Sequence, residues 1–230
     1  MHDISKRANP IMKSSAKQSA QRPAVDRRRK SARRAMAVPP RSRLDQILDA
    51  ALHVIAAQGF ADTDVQVIAD RAGVGKGSIY RHFGNKESLL RATAGHARLQ
   101  LLRDVDAAAE EIADPMARLR AGIRAFLAFF DSHPDVVELL IQERAHFRGK
   151  QHMAFFELRD ELESPWTKVF EALTRDGTFR DLPLAKIRET FSRFLFGAML
   201  VNHFSGQSEP LAPKSDELCD MLLRGLVVQH

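Results

Sequence analysis

From about residue 41 onwards, apolar residues recur every three or four positions, which is the pattern of amphipathic α-helices. The first such run ends at Gly59, because glycine is favoured at the residue that follows a helix. Its apolar positions are Leu44, Ile47, Leu48, Ala51, Leu52, Val54 and Ile55. The pattern predicts one amphipathic helix between Arg41 and Gly59.

Three further helical patterns follow Gly59. Thr63 and Gln66 have the spacing of a capping box, in which each side chain bonds to a free amide of the first turn. Asn85 is also a favoured helix cap, and Gly73 suits a tight turn. The predicted bounds are 64–71 for the second helix, 72–74 for the turn, 75–82 for the third helix and 85–112 for the fourth.

Prolines mark the helix starts downstream, since proline fits the first helical turn. They are Pro115, Pro134, Pro165 and Pro183. The predicted helices cover 115–131, 134–147, 151–175 with a kink or split at Pro165, 183–201, and a last helix that contains Leu218 to Val227. The pattern predicts an all-α protein with about nine helices and no strand.

The segment AGVGKGSIYRHF, residues 72–83, could hold the phosphates of a nucleotide or lie against the phosphates of DNA. A nucleotide-binding P-loop requires G-x-x-x-x-G-K-[ST] after a buried strand. Here Gly77 follows the Gly-Lys pair, and Asp70 takes the place of the first glycine. A helix, not a strand, is predicted before the turn. The nucleotide interpretation is therefore set aside.

Three short helices with a glycine-containing turn predict a helix-turn-helix unit, whose third helix enters the major groove of DNA. Val74 and Ile79 are expected to face inwards, and Gly77 would allow close approach to bases or phosphates. The outward-facing side chains include many hydrogen-bond donors: Lys76, Ser78, Tyr80, Arg81 and His82. The alternative is a surface helix whose charges only keep the protein soluble.

Residues 41–90 closely resemble the DNA-binding domain of the TetR/AcrR family of bacterial transcriptional regulators. The family pattern is I-L-x-A-A, then G-x-x-x-T, then I-A-x-x-A-G-V-x-K-G-x-I-Y-x-H-F, then N-K-E-x-L-L. It corresponds here to residues 47–51, 59–63, 68–83 and 85–90. The resemblance implies a DNA-binding domain over 41–90 and a helical regulatory and dimerisation domain over 91–230.

The resemblance also implies roles for individual residues at the DNA. Thr63, Tyr80, Lys86 and Lys76 would contact phosphates, whereas Gly77, Ser78 and Arg81 would face the bases, with Arg81 suited to a guanine edge. Two positions depart from the family pattern. Gly75 replaces the usual serine, which weakens the cap of the third helix, and Asp64 would repel phosphate unless it caps the second helix.

By resemblance, the last two helices pair with their copies across a two-fold axis into a four-helix bundle. The alternative is that their apolar residues belong to the core of one subunit. The candidate dimer residues are Phe191, Phe194, Leu195, Ala198, Met199, Leu218, Met221, Leu222 and Gly225. The expected partners are a palindromic double-stranded operator, a second copy of the chain and a small hydrophobic effector.

Aromatic residues are concentrated after residue 125, where they could line an apolar pocket or simply form the core. The candidate pocket residues are Phe126, Phe130, Glu143, Phe147, Phe155, Trp166 and Phe170. Glu143 is a polar candidate for orienting a ligand. His146 and His152 flank a loop, but no third metal ligand has suitable spacing. We predict no metal site and no cofactor.

Charge and composition refine this picture. Residues 1–43 carry thirteen Lys or Arg and two Asp, a net charge of +11, against +6 for the whole chain. We predict a basic disordered tail over 1–40 that binds a polyanion, and the alternatives are a solubilising leader, an organellar transit peptide or a true start at Met36. One cysteine, Cys219, and no apolar run of about 20 residues suit the bacterial cytoplasm and the nucleoid, with no membrane contact.

The sequence thus predicts a sequence-specific DNA-binding transcriptional regulator, a dimeric repressor that a small apolar effector releases from its operator. One alternative is a regulator without a small-molecule effector. The other is an enzyme that uses the C-terminal cavity, for which the sequence offers no nucleophile–base pair, metal cluster or cofactor loop. We predict that the protein is not an enzyme.

Overall fold

A computed structural model describes residues 42–147, 153–157, 165–206 and 209–224. Within these ranges the chain forms α-helices and one short 3-10 turn, and no β-strand occurs in them. The all-α prediction is confirmed. The helices are α1 Arg43–Gln58, α2 Val65–Ala72, α3 Lys76–Phe83, α4 Lys86–Ala109, α5 Pro115–Ser132, α6 Pro134–His146, α7 Ala154–Glu157, α8 Pro165–Arg175, α9 Leu184–Phe204 and α10 Ser215–Arg224, and the 3-10 turn is Ala212–Lys214.

Some predictions concern segments outside the described residues. These are the basic tail over 1–40, His152 and Gly225. The predicted helix over 151–175 is described in two parts, α7 and α8, because residues 158–164 also lie outside.

Short polar side chains fix the first turns of the N-terminal helices. At α1, Ser42 Oγ accepts a hydrogen bond from the Asp45 amide at 3.1 Å, and Asp45 Oδ2 accepts one from the Ser42 amide at 3.0 Å. At α2 the predicted capping box of Thr63 and Gln66 is wrong. The cap is Asp64, whose Oδ1 accepts from the Gln66 amide at 2.8 Å. Asp64, which directly precedes the helix, thus takes the amide that Thr63 was expected to bind.

The cap predicted at Asn85 is confirmed, and so are the helix starts predicted at Pro115 and Pro134. Asn85 Oδ1 accepts from the Ser88 amide at 2.7 Å and begins α4. Asp114 accepts from the Ala117 amide at 2.7 Å, with Pro115 in the first turn of α5. Proline also opens α6, and α9 begins directly after Pro183.

Helix α4 is the central element of the fold. It packs against α1, α5, α6 and α7, so it contacts both the N-terminal helices and the helices that follow. Its buried side chains run from Leu89 and Leu90 at one end to Leu101 and Val105 at the other, in one continuous apolar core. The boundary predicted between residues 90 and 91 therefore falls inside this helix.

Helix α10 is fastened to α5 by two ion pairs. Arg120 Nη2 lies 2.6 Å from Asp220 Oδ1, and Arg124 Nη2 lies 2.7 Å from Asp216 Oδ2. Cys219 lies on the buried face of α10, and this burial raises the pKa of its thiol to about 11. No helix in the described ranges is long and apolar enough to span a membrane.

Candidate functional site

The turn between α2 and α3 sets the angle between these two helices. Gly73 takes a left-handed backbone with φ of 64°, which glycine adopts without a steric cost. The Val74 amide donates to the Ala69 carbonyl at 2.9 Å, and Arg43 Nη2 donates to the Gly73 carbonyl at 3.0 Å. Ile79 is buried and Val74 packs against the same core, as predicted. The face of α3 that carries Ile79 is thus packed against the core, which fixes the orientation of the helix.

The other face of α3 is open to solvent. Tyr80, Arg81 and His82 are exposed, whereas Lys76 and Ser78 are half-buried. Arg81 Nη2 donates to Ser78 Oγ at 2.9 Å, which orients the guanidinium group along the helix. The helix carries no acidic residue. Its exposed face therefore presents donors and positive charge, which suits a polyanion.

The carboxylate of Asp64, the N-cap residue of α2, lies beside this face. Asp64 Oδ1 is 2.9 Å from Lys76 Nζ. The pKa of the Asp64 carboxyl lies below its usual range because the Gln66 amide donates to it and, second, because Lys76 does. The same contact raises the pKa of Lys76. Asp64 thus caps α2, which is the condition under which its charge was expected to be tolerated near phosphate. It also forms an ion pair with Lys76, a predicted phosphate contact.

Two other predicted phosphate contacts differ in accessibility. Lys86 is half-buried, its Nζ donates to the Ala61 carbonyl at 3.0 Å, and it lies 4.7 Å from the centre of the Phe60 ring. Thr63 is only 4% exposed, and its hydroxyl donates to the Gly59 carbonyl at 2.7 Å. This arrangement closes the loop between α1 and α2, and it does not support a direct phosphate contact by Thr63.

The same loop is tied to α6. Gln142 Oε1 accepts a hydrogen bond from the Phe60 amide at 3.1 Å, and the His146 and Phe60 rings lie 4.4 Å apart. His146 Nε2 is also 4.0 Å from Glu87 on α4. Sequence reasoning missed Gln142, since a single polar residue on an amphipathic helix gives no sign of a distant partner.

A cavity of about 220 Å³ lies among α4, α5, α7, α8 and α9. Most of the residues around it are apolar. Four of the seven predicted pocket residues line it: Phe126, Phe155, Trp166 and Phe170. The aromatic residues of this region therefore form both a core and the wall of a cavity.

The other three predicted pocket residues do not line this cavity. Phe130 is buried against Phe126, with ring centres 5.0 Å apart. Glu143 is fully buried and accepts a hydrogen bond from the Ala154 amide at 2.5 Å. Phe147 contacts Arg91, whose guanidinium carbon lies 5.5 Å from the ring centre. Glu143 and Phe147 lie away from the cavity because they belong to the region of α6, which packs against α1 and α4.

Sequence reasoning also missed polar and small residues of the cavity. Arg98 Nη1 donates to the Phe155 carbonyl at 2.8 Å. A Cβ atom at Gly122 would lie 2.2 Å from Trp166 Cη2, so the absence of a side chain admits the indole ring. Trp166 Nε1 in turn donates to Asp106 Oδ1 at 3.1 Å. No local pattern connects these residues, which lie far apart in the sequence.

The predicted dimer residues fall into two groups. Phe191 and Met199 are 4% and 2% exposed, so they belong to the core of one subunit, and Phe191 and Leu195 line the cavity. This corrects their assignment to a dimer seam, since their positions on α9 face the other helices. The accessible members are Phe194, Ala198, Leu218, Met221 and Leu222. Three exposed apolar side chains stand out on α9 and α10: Val201, Phe204 and Met221.

In the described part of the chain, no three or more His, Cys, Asp or Glu side chains cluster in a way that could hold a metal ion. The geometry thus defines a helix-turn-helix protein with a donor-rich exposed helix and a separate, largely apolar cavity.

Comparison with known proteins agrees with this class. Residues 47–93 match the family model of bacterial regulatory proteins, tetR family, and residues 113–199 match the model of the tetracyclin repressor-like C-terminal domain. The HTH-type transcriptional repressor KstR2 of Rhodococcus jostii is 31% identical over 143 residues, which are 60% of this chain and 68% of the relative. The HTH-type transcriptional activator FasR of Mycolicibacterium smegmatis is 32% identical, over 63% of this chain and 64% of the relative.

Solved structures show the same fold. The fatty acid degradation regulator FadR from Bacillus halodurans has a TM-score of 0.70 and 21% identity, over 81% of this chain and 97% of that one. FadR from Bacillus subtilis, in complex with stearoyl-CoA, has a TM-score of 0.64 and 22% identity, over 78% and 97%. This chain belongs to the TetR family of bacterial transcriptional regulators, and it is a DNA-binding regulator.

Proposed function

We propose that the protein is a dimeric repressor that binds a palindromic operator through α3 and leaves it when a small apolar effector occupies the cavity. The observation that carries this proposal is that α4 takes part in both sites. Lys86 in its first turn bonds to the loop between α1 and α2, and Arg98 and Leu101 line the cavity. An effector that favours another position of α4 would also favour another position of α3.

At the operator, the exposed face of α3 would lie in the major groove. Arg81, oriented by Ser78, suits the two acceptors of a guanine edge. Tyr80 and His82 are exposed donors for the backbone or bases. Lys76 would exchange its contact with Asp64 for a phosphate oxygen.

Repression and the apolar effector are supported by relatives and by the cavity wall. The Rhodococcus jostii relative is named a repressor, and the Bacillus subtilis neighbour was solved in complex with stearoyl-CoA. The bound acyl compound of that neighbour is consistent with a cavity lined mainly by aromatic and aliphatic side chains. The protein would act in the bacterial cytoplasm, on the chromosome.

The second copy of the chain is expected to cover the outer faces of α9 and α10. Val201, Phe204 and Met221 are between 62% and 68% exposed there, although large apolar side chains are usually buried. A two-fold axis at this surface would place two α3 helices for two half-sites.

The test is selection of binding sites from a random DNA pool by the full chain at physiological salt. We expect an enriched inverted repeat whose half-sites are about one helical turn, or a multiple of it, apart. The Tyr80→Ala/Arg81→Ala variant should lose this enrichment, because it removes exposed donors and leaves the core of α3 intact. The matched control is Arg103→Ala, which removes an exposed arginine of α4.

Enrichment of a single half-site would contradict the dimer. Binding without any enriched sequence would contradict specific operator recognition, and enrichment that survives in the double variant would contradict the role of α3.

A further inference from the structure

We propose that the cavity binds a small carboxylic acid with an apolar body and that Arg188 holds its carboxylate. This inference rests on the proposed effector function and specifies the chemical class of the effector. It is drawn from the distribution of charge around the cavity.

The cavity wall has two charged side chains among the described residues, and both are cations. Arg98 enters from α4 and Arg188 from α9, and no Asp or Glu of the described chain lines the cavity. The remaining wall is apolar apart from Ser192. A guanidinium group such as that of Arg188, at the wall of a mostly apolar cavity, favours a ligand that brings a negative charge.

The two arginines differ in their contacts. Arg98 holds the Phe155 carbonyl at 2.8 Å, so part of its bonding capacity serves the attachment of α7. Arg188 is half-buried, and neither a hydrogen bond nor an ion pair joins it to the described residues. On the same helix, Arg193 is 78% exposed and lies 2.6 Å from Glu189. Within the described part of the chain, Arg188 thus lacks an acidic partner of the kind that Arg193 has in Glu189.

A carboxylate is the anion that fits this position best. It accepts two parallel hydrogen bonds from one guanidinium group, and such bonds are stronger when water is partly excluded. A ligand that brings its own carboxylate would also offset the cost of half-burying Arg188, to which no described residue offers an anion.

The rest of the ligand is set by the size and composition of the cavity. About 220 Å³ is at the small end for a ligand site and suits a chain of medium length. Phe126, Trp166 and Phe170 offer apolar contact surface for that chain. Decanoate is a suitable probe, and 1-decanol is its uncharged counterpart of equal length.

The experiment is calorimetric titration of the full chain with each probe, at concentrations below those at which decanoate forms micelles. We expect decanoate to bind at least about tenfold more tightly than 1-decanol. Arg188→Gln should weaken decanoate binding by about tenfold and leave 1-decanol binding unchanged. Arg193→Gln, the matched control on the same helix, should change neither. Thermal unfolding without ligand checks that both variants are folded.

Equal affinities for decanoate and 1-decanol would overturn the proposal, and so would decanoate binding that Arg188→Gln leaves unchanged. The proposal would also be overturned if the protein bound decanoyl-CoA but not decanoate, and if Arg188→Gln left the binding of decanoyl-CoA unchanged. If decanoate binds through Arg188 but does not release the selected operator DNA, the carboxylate site stands and the effector function fails.

Discussion

The helix-turn-helix and the cavity share α4, yet they are assembled in opposite ways. The donors of the DNA-binding surface lie on one helix of eight residues and point to solvent. The cavity is built from five helices, with lining residues from Arg98 to Phe196. A surface that meets a regular polymer can be encoded locally, whereas a cavity between several helices depends on contacts between distant segments.

The two regions also differ in how their charges are balanced. On the DNA side, Lys76 has a carboxylate partner in Asp64, so a phosphate contact by Lys76 would require an exchange of anions. At the cavity, Arg188 has no acidic partner among the described residues, so a ligand can add the missing anion. DNA binding by the first region is expected to respond to salt and surface charge, and ligand binding by the second to the shape of the ligand and to the half-buried charge of Arg188.

The largest expected effect concerns the packing of the cavity. Gly122→Ala places a Cβ atom 2.2 Å from the Trp166 ring, so the indole must move and its hydrogen bond to Asp106 must break. We expect a loss of stability of about 1–3 kcal/mol, as for other overpacked cores. Thermal or urea unfolding measures this change.

Gly95→Ala is the matched control, because Gly95 lies within α4 and a Cβ there meets nothing within 4 Å. Alanine is the better helix former, so this variant should gain up to about 1 kcal/mol. Similar effects of both variants would show that Gly122 is not fitted to Trp166.

The local character of the DNA-binding region explains how well the sequence predicts it. The cap at Asn85, the turn at Gly73 and the inward position of Ile79 depend on residues within a few positions of each other. Even here the cap of α2 was misassigned, since Thr63 and Asp64 are both good caps and only the backbone decides between them.

The cavity was predicted only in part, for a physical reason. Periodicity identifies apolar faces, but it does not say which neighbour each face meets. Phe126 and Phe130 lie on one face of α5, yet one lines the cavity and the other is buried beside it. Gly122 is fitted to Trp166, 44 positions away, and Arg188 reaches the cavity from α9, so no local spacing marks either residue.

A smaller effect is expected from the charge next to α3. Asp64→Asn keeps a good N-cap for α2 but frees Lys76 and removes a negative charge from the surface that would face phosphate. We expect severalfold tighter operator binding and a salt dependence that steepens by about one unit of slope. Fluorescence anisotropy titrations of the selected operator at several salt concentrations measure both.

Asp114→Asn is the control for net charge, since Asp114 is also an N-cap and belongs to α5, outside the helix-turn-helix. It should leave the affinity and the slope almost unchanged. If both variants tighten binding equally, the effect comes from total charge, and the ion pair of Asp64 with Lys76 does not limit DNA binding.

The smallest effect is expected at the start of α3. Gly75 is its N-cap, has an extended backbone with φ of −75° and offers no side-chain hydrogen bond to the first turn. A Cβ atom there meets nothing within 4 Å, so Gly75→Ser adds a capping hydroxyl without a clash. We expect a gain of about a few tenths of a kcal/mol in unfolding free energy.

The control variant Gly84→Ser, at the other end of α3, should instead lower the unfolding free energy by about 1 kcal/mol or more, because Gly84 has φ of 78°. A loss of stability in Gly75→Ser would mean that Gly75 has a role in the fold besides leaving the cap of α3 weak. The operator affinity of the same variant would then show whether the glycine also allows close approach to DNA.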